Sequence, residues 1–221
     1  MSEPQRQRWL ALLVIFSVGC CVVIGLWPRA ARPMPPPVPP AVDTASLPVL
    51  TPRESITFIL GDDRGAKTHY YARAAFYYRM DPQDKTEYVV ESCRSLSAVR
   101  EYLVQHPPRN REPWGTINLV VHGNEWTGIA VPVLPGGAAQ SGAAAMAAVA
   151  DSGTVSALPD TTVDAHSEII LHGCAVGQNR ELLVQLGRLF STASTRPVVR
   201  GGRLFVLFDG DYYDSELVRT S

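Results

Sequence analysis

Thr116–Trp126 reads TINLVVHGNEW, and Ser167–Gly177 reads SEIILHGCAVG. Each is a short apolar run rich in β-branched residues that stops at His-Gly, the pattern of a strand buried on both faces and closed by a turn. Working outward, SITFILGDD gives an earlier buried strand at Ile56–Leu60, EYVVES a second, GIAVPVL a strand after the first His-Gly, and RLFVLF a closing one. Helical spacing predicts helices between them. His69–Met80 places Tyr70, Ala74, Tyr77 and Tyr78 on one face. Ser95 caps a helix whose Leu96, Val99, Tyr102 and Leu103 share a face and which Pro107 and Pro108 end. Ala138–Ala150 and Asn179–Phe190 supply two more, the latter with its leucines and Phe190 inward. Strands alternating with helices predict an α/β fold with a mostly parallel sheet flanked by helices. In such sheets the ligand site lies beyond the carboxyl ends of the strands.

The chain around this core divides into three parts. Residues 1–27 form an amino-terminal tail and an apolar span. Trp9–Trp27, WLALLVIFSVGCCVVIGLW, holds nineteen residues without a charge. As a helix it is long enough for the roughly 30 Å hydrocarbon core of a bilayer, with tryptophan at each interface. It exceeds a cleavable signal's apolar region, so a single-pass signal anchor is expected. A cleaved signal at RAAR and a lipid-modified Cys20 are the other readings. Arg6 and Arg8 before the span balance Arg29 and Arg32 after it. With the amino end inside, the soluble part lies in the periplasm or another extracytoplasmic space. Residues 28–52 hold nine of the eighteen prolines, including PMPPPVPP, and read as an extended spacer.

Residues 53–221 form the folded domain, long enough for one well-buried core. They carry sixteen basic and nineteen acidic residues, a formal charge of −3, and the whole chain carries −1. That balance, without a basic stripe, argues against a nucleic-acid partner. At 46% hydrophobic and 19% charged residues, neither a disordered chain nor a coiled coil is expected. Four cysteines are too few for a disulfide scaffold.

The two His-Gly strand ends carry the chemistry. Cys174 follows one of them just before a helix, where a thiolate is favoured. His122, fifty-two residues earlier at the other, could take the thiol proton and return it to a leaving amine. Gly123 lets a backbone N–H approach a substrate carbonyl, and with the Cys174 N–H it could form an oxyanion hole.

An apolar strand ending in His-Gly, then about fifty residues, then an apolar strand ending in a cysteine before a helix resembles the caspase-like cysteine peptidases. That superfamily includes caspases, metacaspases, legumains, gingipains and bacterial relatives, and the resemblance covers most of Ile56–Phe208. It implies a three-layer caspase-like domain, a Cys174–His122 dyad with Gly123 as oxyanion contributor, a protein or peptide substrate, and no cofactor. HGCAVG departs from the Gln-Ala-Cys pattern of caspases, and the cleft-building loops are short. His172 stands where the family often lines its specificity pocket. In the family's strand order the Cys93 strand is an edge strand three strands from Cys174, beyond disulfide reach.

Around the dyad, Asp62 and Asp63 follow the first strand and would favour a basic substrate side chain, or simply make a turn with Gly61 and Gly65. Glu125 and Trp126 line the cleft or pack on the next strand. His122, His172 and Cys174 could converge as zinc ligands, a lesser reading without supporting motifs. Asp209, Asp211 and Asp214 lack the spacing of a calcium loop. The expected function is a membrane-anchored cysteine endopeptidase. The other reading is a catalytically silent domain of the same fold that binds a partner protein at the membrane.

Overall fold

The protein is described here by a computed structural model covering residues 52–80, 88–208 and 217–219. These residues belong to one compact unit, Leu50–Ser221. The apolar span Trp9–Trp27, the proline spacer up to residue 51 and the carboxyl-terminal aspartates lie outside the described residues. No described helix is long and apolar enough to cross a membrane.

Strand β1 (Ser55–Ile59) leads to helix α1 (Tyr70–Met80), and β2 (Tyr88–Val90) to α2 (Leu96–Gln105). Strand β3 (Thr116–Val120) runs into a small hairpin of β4 (Gly123–Asn124) and β5 (Gly128–Ile129), followed by α3 (Ala143–Asp151). Then come β6 (Glu168–His172), a single 3₁₀ turn (Val176–Gln178), α4 (Arg180–Leu189), β7 (Val198–Gly202) and β8 (Leu217–Arg219). The main sheet has the order β2-β1-β3-β6-β7-β8. Its first five strands are parallel, and β8 is antiparallel to β7. This is the expected α/β fold with a mostly parallel sheet.

Alternation along the strands sends side chains to two cores. Ile56, Phe58, Ile117, Leu119, Ile169 and Leu171 meet Leu96, Val99 and Leu103 of α2, Met146 of α3, and the leucines of α4. Ile59 and Val120 face the other way onto Tyr70, Tyr71, Ala74, Ala75 and Tyr78 of α1. The tyrosine stripe of α1 is therefore core. Its hydroxyls need partners once buried. They reach the sheet's carboxyl edge.

Ser95 caps α2 as expected, accepting from the Ala98 N–H at 3.1 Å. Three elements differ from the expectation. GIAVPVL is a strand only at Gly128–Ile129, because Pro132 and Val133 turn their carbonyls to the Leu96 and Ser97 N–H groups at the start of α2. The alanine-rich helix begins at Ala143 because Ser141 makes paired backbone bonds with Ile129, which hold the preceding residues extended. RLFVLF is not a strand; β7 is the preceding VVRGG. The carbonyl of Leu204 is taken by the Ala175 N–H, and that of Arg203 by Gln178 Nε2. Val206 and Phe208 still bury into the second core, while Leu204, Phe205 and Leu207 face solvent.

Candidate active site

Register places the two strand ends side by side. The paired run of β3 and β6 ends with Val120 opposite His172. His122 and Cys174 each lie two residues beyond that pair, at the carboxyl edge of neighbouring strands. The pairing persists one step further, with the Val121 N–H donating to the His172 carbonyl at 3.1 Å. Cys93, after edge strand β2, is three strands from the Cys174 strand, and both thiols are free.

Cys174 is half-buried. Ala175, next in the chain, holds the left-handed conformation at φ 56°, ψ 10°. A non-glycine residue there costs on the order of 1 kcal/mol. The Ala175 N–H bond to Leu204 offsets part of that cost and fixes the turn from β6 into the 3₁₀ turn and α4. Among the described residues the Cys174 N–H makes no backbone hydrogen bond.

His122 is half-buried between two tyrosines of α1. Its ring stacks on Tyr70 at 4.4 Å and meets Tyr71 edge-on at 4.8 Å. Its backbone N–H donates to the Tyr71 hydroxyl at 3.1 Å. Burial lowers the pKa of its imidazole below the ordinary value, and the charge of Asp63 partly opposes that. Near neutral pH the ring is therefore uncharged, the form that can accept a proton.

Gly123 opens the hairpin. The Ala130 N–H donates to the His122 carbonyl at 2.7 Å. That bond makes Gly123–Ile129 a non-hydrogen-bonded pair, so the Gly123 N–H is directed away from β5. A Cβ at Gly123 would lie 2.8 Å from the Gly128 carbonyl and 2.8 Å from Val176 Cγ1. Val176 also sits 3.0 Å from where a Cβ of Gly173 would be. The loop after His122 and the loop after Cys174 therefore pack on one another through one valine.

Asn179 joins the same two loops, and nothing in the sequence pattern singled it out for that. Its Oδ1 caps α4 by accepting from the Leu182 N–H at 2.9 Å. Its Nδ2 donates to the Glu125 carbonyl at 2.9 Å, latching the hairpin tip to the helix that follows the cysteine. The sequence places Asn179 at the start of a helix, and its second bond depends on the hairpin's position.

The remaining expected residues fall differently. His172, expected at a specificity pocket, is 2% exposed and turned into the interior. The strand ends there, and its ring is held in the second core, with Nε2 at 2.8 Å from both Asn118 Oδ1 and the Tyr78 hydroxyl. Burial takes its pKa down to about 3. The backbone turn at Gly173–Ala175 breaks the strand alternation that would have aligned His172 with Cys174. The zinc reading loses its geometry for the same reason: among the described residues no three His, Cys, Asp or Glu side chains are grouped to hold a metal.

Asp62 and Asp63 both make local hydrogen bonds after β1. Asp62 pairs with the exposed Arg64 at 3.0 Å and accepts from its backbone N–H. Asp63 accepts from the Tyr71 and Ala72 N–H groups at 3.1 and 2.8 Å, which caps α1. Glu125 is half-buried at the hairpin tip, and Trp126 beside it is 82% exposed.

No protein-family model matches the chain, and neither does any curated protein or solved structure.

Proposed function

We propose that the protein is a membrane-anchored, caspase-like cysteine endopeptidase in which Cys174 is the nucleophile and His122 the general acid and base. The observation that carries the reading is the register of β3 and β6, which sets His122 and Cys174 two residues past the same pair at the sheet's carboxyl edge. The sheet order, with the Cys93 strand at the edge, also supports it.

In the reaction, neutral His122 takes the Cys174 proton as sulfur attacks the scissile carbonyl carbon. The carbonyl oxygen becomes an oxyanion, which the Gly123 and Cys174 N–H groups receive. His122 then gives its proton to the leaving amine as the C–N bond breaks. Water, deprotonated by His122, cleaves the thioester and restores the thiol. Trp9–Trp27 anchors the chain in the membrane in this reading, with the proline spacer carrying the domain into an extracytoplasmic space.

The test is cleavage of a peptide library by the full chain in detergent, alongside Cys174→Ala and His122→Ala. Cleavage by the wild type, lost in Cys174→Ala and reduced at least a hundredfold in His122→Ala, supports the reading. Cleavage that survives Cys174→Ala overturns it. A second reading, a silent domain that binds a partner protein, draws on the exposed Trp126, Leu204, Phe205 and Leu207. Of these, Leu204 is tied through its carbonyl to the residue after Cys174. Absence of cleavage across the library, with the fold intact, would favour it.

A further inference from the structure

Arg200 and Arg219 stand directly opposite one another in the register of β7 and β8. Opposed residues of an antiparallel pair share a face, and two like charges so placed repel. Arg200 forms an ion pair with Glu168 through Nε, which leaves both of its Nη atoms without a hydrogen bond among the described residues. Nε is its buried nitrogen; the two Nη atoms are not buried, and 37% of the side chain is exposed. Arg219 is exposed, and no carboxylate among the described residues pairs with it. An anion between the two guanidinium groups would turn their repulsion into attraction.

The same face continues across the sheet, with Thr116 opposite Glu168 and Glu168 opposite Val198. Together with Arg53, Arg200 and Arg219 these residues line a cleft of about 460 Å³ at the amino edge of the sheet. A space of that size suits a small molecule. Asp164 matches the charge of Arg53 at 2.7 Å and Glu168 matches that of Arg200, whereas Arg219 leaves one positive charge uncompensated. The apolar part of the lining is limited to Ala165 and Val198, too little to hold a hydrocarbon chain. Neither Cys174 nor His122 borders the cleft; both lie at the opposite edge of the sheet.

We propose that this cleft binds a small, water-soluble phosphate monoester, its phosphate group seated between the Nη atoms of Arg200 and the guanidinium of Arg219. A guanidinium takes two oxygens of a phosphate or a carboxylate in a planar fork. One fork uses both oxygens of a carboxylate, whereas a phosphate group keeps a further oxygen for the second arginine. The polar lining favours a free monoester over a lipid headgroup.

The test titrates the full chain, in a non-ionic detergent at low salt, with glycerol 3-phosphate, acetate and dihexanoyl phosphatidate, read by calorimetry. Saturable binding of glycerol 3-phosphate is expected, at least tenfold tighter than that of acetate. Arg219→Gln, at an exposed position, should weaken it at least tenfold. Arg200→Lys keeps the charge beside Glu168 but loses the fork, and should also weaken binding, which covers the case in which Arg219→Gln fails to fold. Arg109→Gln, an exposed arginine against Tyr88 on edge strand β2, should bind as wild type does. Glycerol 3-phosphate that gives no saturable heat, or binds Arg219→Gln as well as wild type, overturns the proposal. An equal loss in Arg109→Gln also overturns it, since general charge attraction would then explain the binding. Equal binding of acetate overturns the assignment of a phosphate group, and tenfold tighter binding of dihexanoyl phosphatidate overturns the assignment of a free monoester.

Discussion

At the scale of single residues, the two histidines that follow apolar strand runs have opposite fates because of where each strand stops. His172 is the last residue of β6 and its side chain goes inward to Asn118 and Tyr78. His122 lies past the end of β3, half-exposed against Tyr70 and Tyr71. The buried ring has a measurable consequence. Its pKa drops from 6.5 to about 3, so between those values the unfolded chain binds a proton that the folded chain does not. Stability therefore declines as pH falls through that window, by roughly 1.4 kcal/mol per pH unit from this group. Urea unfolding at pH 7 and pH 5 should show a larger loss for wild type than for His172→Gln; equal losses would contradict the burial argument. Asp63 acts on His122 from a distance, raising the pKa that burial lowers. Asp63→Asn removes that charge, so under the proposed peptidase activity the acid limb of cleavage should move to lower pH. A limb that moves upward or stays fixed would exclude Asp63 from the field at His122.

At the scale of elements, the His122 hairpin is held by three contacts from other parts of the chain. Tyr71 receives its first N–H, Val176 fills the space beside Gly123, and Asn179 latches Glu125. Asn179 separates two roles cleanly. Asn179→Asp keeps the α4 cap, since aspartate caps as well as asparagine, but loses the donor to Glu125. Thermal unfolding should hardly change, while the proposed peptide cleavage falls severalfold. Asn179→Ala should lose the cap as well, at about 1 kcal/mol. If Asn179→Asp cleaves like wild type, the latch does not position the hairpin. The same elements show what the sequence could tell. Periodicity predicted α1, α2 and α4 to within a residue or two at each end, because each has an apolar face at helical spacing. It misplaced the segments whose backbone bonds are made at long range. Pro132 and Val133 are turned aside by the start of α2, Ser141 by Ile129, and Arg203 and Leu204 by the turn after Cys174. The acidic pair after β1 was readable as a turn or as a pocket, and its bonds to the start of α1 depend on where that helix lies.

At the scale of the whole molecule, a parallel sheet brings residues from distant parts of the chain to one edge. Asp63, His122 and Cys174 all follow strands that point the same way, β1, β3 and β6. Strand order alone makes the second and third neighbours and keeps Cys93, after β2, remote. Cys93 is 5% exposed, its thiol donates to the Ala98 carbonyl at 3.6 Å, and burial raises its pKa. It is thus an internal reference for an unreactive thiol. The most direct test of the account is the rate of iodoacetamide labelling at Cys174 and Cys93 between pH 6 and 8, mapped by mass spectrometry in the full chain and in His122→Ala. The account predicts labelling at Cys174 well above that at Cys93, falling at least tenfold when His122 is lost. Labelling at Cys174 as slow as at an ordinary thiol, and indifferent to His122, would contradict it.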